Sequence, residues 1–195
     1  MNIIYRTARK EDCYRIAELD YMASGGAVEY LFHDLVPGAT PVQIIAHGLE
    51  KDIPPHSYRN AIVAELNQKI IGMSLSYPAR FHHIDDEMRN FIPADRLAHF
   101  EDFFAARVDN SYLIDAISVE PEYRRQGVGK MLLEKTSEKA HKQGFSLLSL
   151  IVFADNEKAI RLYTEYGFIM VKKIDLAQHA LIPHKGGCLL MKAEI

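Results

Sequence analysis

The sequence predicts a single mixed α/β domain, and three observations carry that reading. Short β-type apolar runs alternate with stretches of helical periodicity. One unit, over residues 112–143, reads strand, glycine-rich loop, helix. No repeat, low-complexity tract or linker divides the 195 residues, a length that suits one domain spanning 1–195 with room for an insertion.

Taken in order, residues 3–6 form a short strand. Cap-type residues over 7–11, then Tyr14, Ala17 and Leu19 at near-helical spacing, start a helix that Ser24-Gly25-Gly26 ends or bends. Apolar residues over 28–35 and 42–49 predict two short helices split by Pro37-Gly38, and Pro54-Pro55 closes the stretch. Residues 61–66 and 70–77 read as strands joined by the tight turn Asn67-Gln68-Lys69, a hairpin. Residues 81–110 are an insertion between strands, in which Leu97, Phe100, Phe104 and Val108 predict one apolar helical stripe.

The strand over 112–119 follows. Glu120-Pro121-Glu122-Tyr123 turns the chain into the loop Arg124-Arg125-Gln126-Gly127-Val128-Gly129. Val128, Leu132, Thr136 and Ala140 form an i, i+4 row, so a helix begins inside that loop, and Gly144 stops it. The apolar run over 145–153 suits a buried strand. Asp155 and Asn156 cap a further helix that ends at Gly167. Residues 168–174 and 188–193 are the last strands.

Composition narrows the function. Basic residues number 23 and acidic residues 26, for a net charge of -3, and no basic run dominates any stretch. Binding to nucleic acid by phosphate neutralisation is therefore not expected. No segment reaches the roughly 20 apolar residues of a membrane helix, and no apolar signal core follows Met1. The two cysteines, Cys13 and Cys188, stand in no disulfide or zinc pattern, which fits a reduced, cytoplasmic setting.

The strand–loop–helix unit carries the chemistry. A helix N-terminus presents unpaired amides and a partial positive charge, and glycines let that backbone approach an anion closely. Arg124, Arg125 and Lys130 add charge around it. The ligand type is a phosphate or pyrophosphate. A P-loop would need Ser or Thr where Met131 stands, and a dinucleotide fingerprint would need a third glycine where Leu132 stands.

Residues 119–129, with Arg124, Gly127 and Gly129 at the fixed positions of Gln/Arg-x-x-Gly-x-Gly/Ala, resemble motif A of the GNAT family of N-acetyltransferases. Residues 156–168 resemble that family's motif B, the Asn…Ala…Leu-Tyr…Gly-Phe segment, at the family's interval. The resemblance covers residues 112–174. It implies a strongly twisted central sheet with flanking helices, and acetyl-coenzyme A as cosubstrate. Ile117, Ser118 and Val119 would then face the pantetheine arm and the acetyl carbonyl. Amides of Arg125, Gln126, Gly127, Val128, Gly129 and Lys130 would hold the pyrophosphate, Arg124 would belong to the same site, and Asn156 would contact the pantetheine. Tyr163 would protonate the departing thiolate. Asn156 is also a favoured helix cap, and Tyr163 could be a core aromatic.

The acceptor implied is an amine, either a small molecule or a peptide N-terminus, attacking directly in a ternary complex. An ammonium must lose a proton before it can attack. Asp115, on the strand leading to the loop, is one candidate base; Glu29, His33, His82 and His83 lie in segments that border the acceptor site in similar proteins. Another acyl donor, or a non-catalytic coenzyme A-binding domain, are the rival readings. Residues 82–87, rich in His and acid, read as a solvated polar loop rather than a metal site. The sequence leaves a homodimer open.

Overall fold

The computed structural model describes residues 2–195. One sheet of seven strands runs in the order β1-β2-β3-β4-β5-β7-β6. The strands are β1 (Ile4–Thr7), β2 (Ala61–Leu66), β3 (Lys69–Pro78), β4 (Tyr112–Val119), β5 (Leu147–Phe153), β6 (Ile169–Ile174) and β7 (Cys188–Glu194). Every neighbouring pair is antiparallel except β4 and β5, which are parallel. The helices are α1 (Cys13–Ala23), α2 (Ala27–Phe32), α3 (Pro41–Glu50), α4 (Asp86–Phe91), α5 (Ala94–His99), α6 (Glu101–Ala105), α7 (Val128–Lys142) and α8 (Glu157–Tyr166).

Strand periodicity of two sorts the core onto both faces of the sheet. Val63 of β2 and Met73 and Leu75 of β3 meet Ile16, Ala17 and Leu19 of α1 and Leu49 of α3. Ile62 and Ala64, one residue out of phase, meet Val128 and Leu132 of α7 on the opposite face. The row expected along α7 is buried throughout. Its one polar member is satisfied: the Thr136 hydroxyl donates to the Leu132 carbonyl at 2.8 Å and lies 2.9 Å from the Ser74 hydroxyl. α3 begins with a reciprocal cap, Gln43 N–H to Thr40 Oγ1 at 3.3 Å and Thr40 N–H to Gln43 Oε1 at 2.8 Å, with Pro41 in its first turn. The β2–β3 hairpin closes through Asn67 and Gln68, both with positive φ, the conformation that matches strand twist in a two-residue turn.

Between β3 and β4 the single helical stripe expected over Leu97–Val108 is broken. Phe100, at φ -106° and ψ 13°, ends α5 and precedes α6, and Val108 lies beyond α6. The spacing identified the apolar contacts but not the break. Leu97 and Phe100 still pack with Tyr30 and Leu31 of α2 and with Ile182; burying them there replaces the continuous helix. The stretch read as a solvated polar loop is also corrected: His82 is 2% exposed, and Asp85 caps α4 through Met88 N–H at 2.8 Å. Among the described residues no helix is long and apolar enough to cross a membrane.

Candidate active site

The site is set by where β4 and β5 part. Their parallel ladder consists of Tyr112↔Leu148, Leu113↔Ser149 and Ile114↔Leu150. β4 continues to Val119 and β5 to Phe153 without further pairing between them. On its other edge β4 carries a bulge: Leu75 pairs with Ala116 and Ser76 with Ile114, so Asp115 is the extra residue. The bulge lies where the gap opens, and Asp115 is exposed there within an otherwise buried stretch. Beyond the gap the Glu120 amide donates to the Ile71 carbonyl at 2.8 Å. Alternation along an extended strand then turns the Val119 amide and carbonyl away from β3, toward the gap. The carbonyl accepts from Arg124 Nε at 2.8 Å.

The glycine-rich loop closes the far end of the gap. Arg125 and Gly127 have φ of 61° and 83°, so the chain doubles back before α7 starts at Val128. The first backbone bond after the turn is Met131 N–H to the Gly127 carbonyl at 3.0 Å. Among the described residues the amides of 125–130 donate to no protein acceptor, and a Cβ at Gly127 would point into open space. Such a concave run of free amides at a helix N-terminus fits a pyrophosphate. The charged side chains do less. Arg124 is held by Val119 and by the Met22 sulfur at 3.6 Å, Gln126 folds back on the Glu122 carbonyl at 2.9 Å, and Lys130 lies 3.9 Å from Glu134. Arg124 is thus engaged within the protein, while the amides of the loop are left without protein acceptors.

α8 supplies the other wall. Asn156 Oδ1 caps it by accepting from Ala159 N–H at 3.2 Å, which leaves its amide nitrogen free to donate. The Tyr163 ring is 7% exposed and packs with Phe168, Leu133 and Ile117 in the core beside β5. Burial alone pushes its hydroxyl pKa up. That hydroxyl has no protein partner and is not among the sealed, unpartnered atoms, which are His82 Nδ1 and His99 Nε2. It therefore keeps some exposure.

Two groups that the sequence reading missed stand beside Asp115. Tyr77 of β3 donates its hydroxyl to Asp115 Oδ1 at 2.7 Å. Asp20 of α1 is partly exposed. Its carboxyl is raised to about 7, first by burial and then by the charge of Asp115. The signal for Asp20 was present: Cys13, Ile16, Ala17 and Asp20 lie on one helical stripe, and the first three are buried. The other base candidates are engaged elsewhere. Glu29 accepts from the Tyr21 hydroxyl at 2.9 Å, His33 lies between the Glu29 carbonyl and Arg96, and His83 contacts the Arg80 carbonyl at 3.0 Å on the surface. His82 is acted on by the charge of Asp115, which opposes the lowering of its pKa by burial.

The model of the acetyltransferase (GNAT) family matches residues 28–168 of this chain. The chain belongs to that family. A [ribosomal protein bS18]-alanine N-acetyltransferase of Escherichia coli strain K12 is 46% identical over 52 residues, 27% of this chain and 35% of that protein. The chain thus matches about a third of the length of that curated relative. A crystal structure of an acetyltransferase superposes with a TM-score of 0.70 at 24% identity, covering 98% of each chain. The PaiA N-acetyltransferase of Thermoplasma acidophilum, in complex with coenzyme A, superposes with a TM-score of 0.57 at 13% identity over the full length of both chains. These structures share the fold: a central mixed sheet with helices on both faces, as the motifs implied. The family match begins after α1, so Asp20 lies outside it.

Proposed function

We propose that this chain transfers an acetyl group from acetyl-coenzyme A to a primary amine in a single ternary complex. The observation that carries the reading is the parting of β4 and β5 after Ile114 and Leu150, opening onto the unpaired amides of 125–130. A pantetheine arm can add to the free edge of β4 as a strand would, with the pyrophosphate on the loop. Ile117, Ser118 and Val119 belong to that edge, and Asn156, whose amide nitrogen has no protein partner, would contact the pantetheine. The Val119 amide donates to the carbonyl oxygen where negative charge develops. As the amine nitrogen bonds to the acyl carbon and the carbon–sulfur bond breaks, the Tyr163 hydroxyl gives its proton to the sulfur. The unpartnered Tyr163 hydroxyl favours this over a coenzyme-binding domain without turnover, in which a buried tyrosine would be expected to find a protein acceptor. The acceptor is a small-molecule amine or a peptide N-terminus; the bS18-alanine relative gives the second its support.

Thermal-shift titration tests the cosubstrate, because a ligand of the native state raises the melting temperature by mass action. Acetyl-coenzyme A and coenzyme A are expected to raise it well above NAD or ATP. An amine panel with thiol detection then tests turnover. Equal shifts with ATP, or no thiol released with any amine, would overturn the reading.

A further inference from the structure

We infer that His184, oriented by the Asp155 carboxylate, takes the proton of the incoming ammonium at the mouth of the β4–β5 gap. The inference rests on the proposed amine acetylation and adds a base to it.

Contacts place His184 at that mouth. Its ring stacks on Phe153, the last residue of β5, with centroids 4.0 Å apart and planes 8° from parallel. Phe153 lies beyond Leu150, where pairing with β4 stops. The end of α1 crosses from one bank of the gap to the other. On the β4 bank, Met22 Sδ lies 3.6 Å from the Arg124 guanidinium, which holds the Val119 carbonyl. On the β5 bank, a Cβ at Gly25 would stand 2.5 Å from His184 Nε2 and 2.6 Å from Phe153 Cε2. Ser24 keeps helical angles, so residues 22 and 25 are about 5–6 Å apart. The end of α1 thus ties His184 to Val119 across the mouth.

Acid and base are divided between the faces of the sheet. Successive residues of a strand point to opposite faces. Val152 packs with Tyr163, while Phe153 packs with Tyr30 and Ile182 and carries His184. A thiol protonated by Tyr163 leaves on one face, and an amine reaching His184 arrives from the other.

The ring is held as a base would be. Nδ1 lies 2.6 Å from Asp155 Oδ1, and Oδ2 accepts from the Lys185 amide at 2.8 Å. The Lys185 amide, then the His184 ring, hold the Asp155 carboxyl below its usual range. A carboxylate only accepts, so the proton sits on Nδ1 and Nε2 keeps its lone pair. Nε2 has no hydrogen bond to a described residue and is not among the sealed, unpartnered atoms, so it keeps some exposure. The other titratable neighbours are engaged or neutral. Lys185 meets Asp155 through its backbone. Cys188 of β7, paired with Phe153, has its thiol pushed up to about 12, first by burial. Tyr21 and Glu29, on either side of the Gly25 turn, are hydrogen-bonded to each other at 2.9 Å. His184 lies beyond the stretch that the family model matches.

Nε2 takes one proton from R–NH3+, giving R–NH2 and an imidazolium paired with Asp155. The nitrogen lone pair bonds to the thioester carbon, the carbon–sulfur bond breaks, and the sulfur leaves as the thiol with the Tyr163 proton. The second nitrogen proton restores Tyr163, and the imidazolium returns its proton to solvent.

Steady-state kinetics with butylamine, spermidine and an alanine-initiated hexapeptide test this. His184→Ala is expected to lower kcat/KM for the acceptor roughly 10²–10⁴-fold, to hold KM for acetyl-coenzyme A and to remove the acid limb of the pH profile. Added imidazole is expected to restore part of the rate. Asp155→Asn should cost less, since it disturbs only the orientation of the ring. A histidine that merely clips the loop would lower the melting temperature, keep the acid limb and gain nothing from imidazole. That pattern, or full activity in His184→Ala, overturns the inference and leaves the proposed function standing. Thiol release from none of the probes in the wild type overturns both. Nitrogen NMR of histidine-labelled wild type decides the case if no variant folds. The ring in contact with Phe153 is expected to carry its proton on Nδ1 with Nε2 bare when neutral; a neutral ring with the proton on Nε2 overturns the inference.

Discussion

β4 and β5 are one strand pair with two unlike ends. At the Tyr112 end the ladder is intact, and the hydroxyls of Ser111 and Ser149, both buried, meet at 2.7 Å. Lys139 of α7 closes over the same end, donating to the Asn60 carbonyl at 2.7 Å and lying 5.5 Å over the Tyr112 ring. At the Asp115 end the ladder stops, a bulge turns one carboxylate outward, and the loop beyond presents unpaired amides. Backbone groups that are satisfied at one end are left unpaired at the other. The paired end anchors the sheet, and the parted end is where binding can replace strand pairing.

The comparison can be broken at either end, and the two failures should look different. The largest effect is expected from Tyr163→Phe at the parted end. It keeps the ring in the core and removes one hydroxyl, so turnover should fall roughly 10²–10⁴-fold, with kcat and kcat/KM falling together and coenzyme affinity near wild type. Steady-state kinetics and a melting curve on one preparation check this. A stability loss with an unchanged rate would make Tyr163 a core residue only. Gly127→Val should weaken acetyl-coenzyme A binding by roughly tenfold or more, about 1.4 kcal/mol, because the side chain enters the space over the amides at a positive φ. Calorimetric titration of a folded variant with unchanged affinity would contradict the cradle.

Ser149→Ala addresses the paired end. It leaves the buried Ser111 hydroxyl with only the Val108 carbonyl at 2.7 Å. It should cost about 0.5–1.5 kcal/mol of stability in denaturant unfolding, with coenzyme affinity unmoved. A smaller effect comes through Asp20. Its folded-state pKa, about 7, lies above the roughly 3.9 of an unfolded aspartate. The folded chain therefore holds that proton more tightly. The contribution is present below about pH 4 and is lost as pH rises through 7. Relative to wild type, Asp20→Asn should melt higher at pH 8 than at pH 5; the reverse order would show that the carboxylate is not penalised in the fold.

The two ends also differ in how much of them could be read from sequence. The loop over 124–129 and the row Val128, Leu132, Thr136, Ala140 announce themselves because turn and helix chemistry are local in the chain. Asn156 as a cap is legible for the same reason. The bulge at Asp115 and the end of the ladder after Ile114 are not, because register is fixed by partners distant in sequence, Leu150 for Ile114 and Tyr77 for Asp115. The break at Phe100 escaped because periodicity reports which side chains are buried, not whether the backbone between them stays helical. Asp20 was readable as a carboxylate on an apolar stripe, but only the fold brings it to Asp115.

Amide hydrogen exchange with and without coenzyme A tests most directly that the parted end is the cofactor site. New protection is expected at 117–119 and 125–130, with the already paired amides of 112–114 and 148–150 unchanged. Protection confined elsewhere, with 125–130 exchanging as fast as in the free protein, would contradict it.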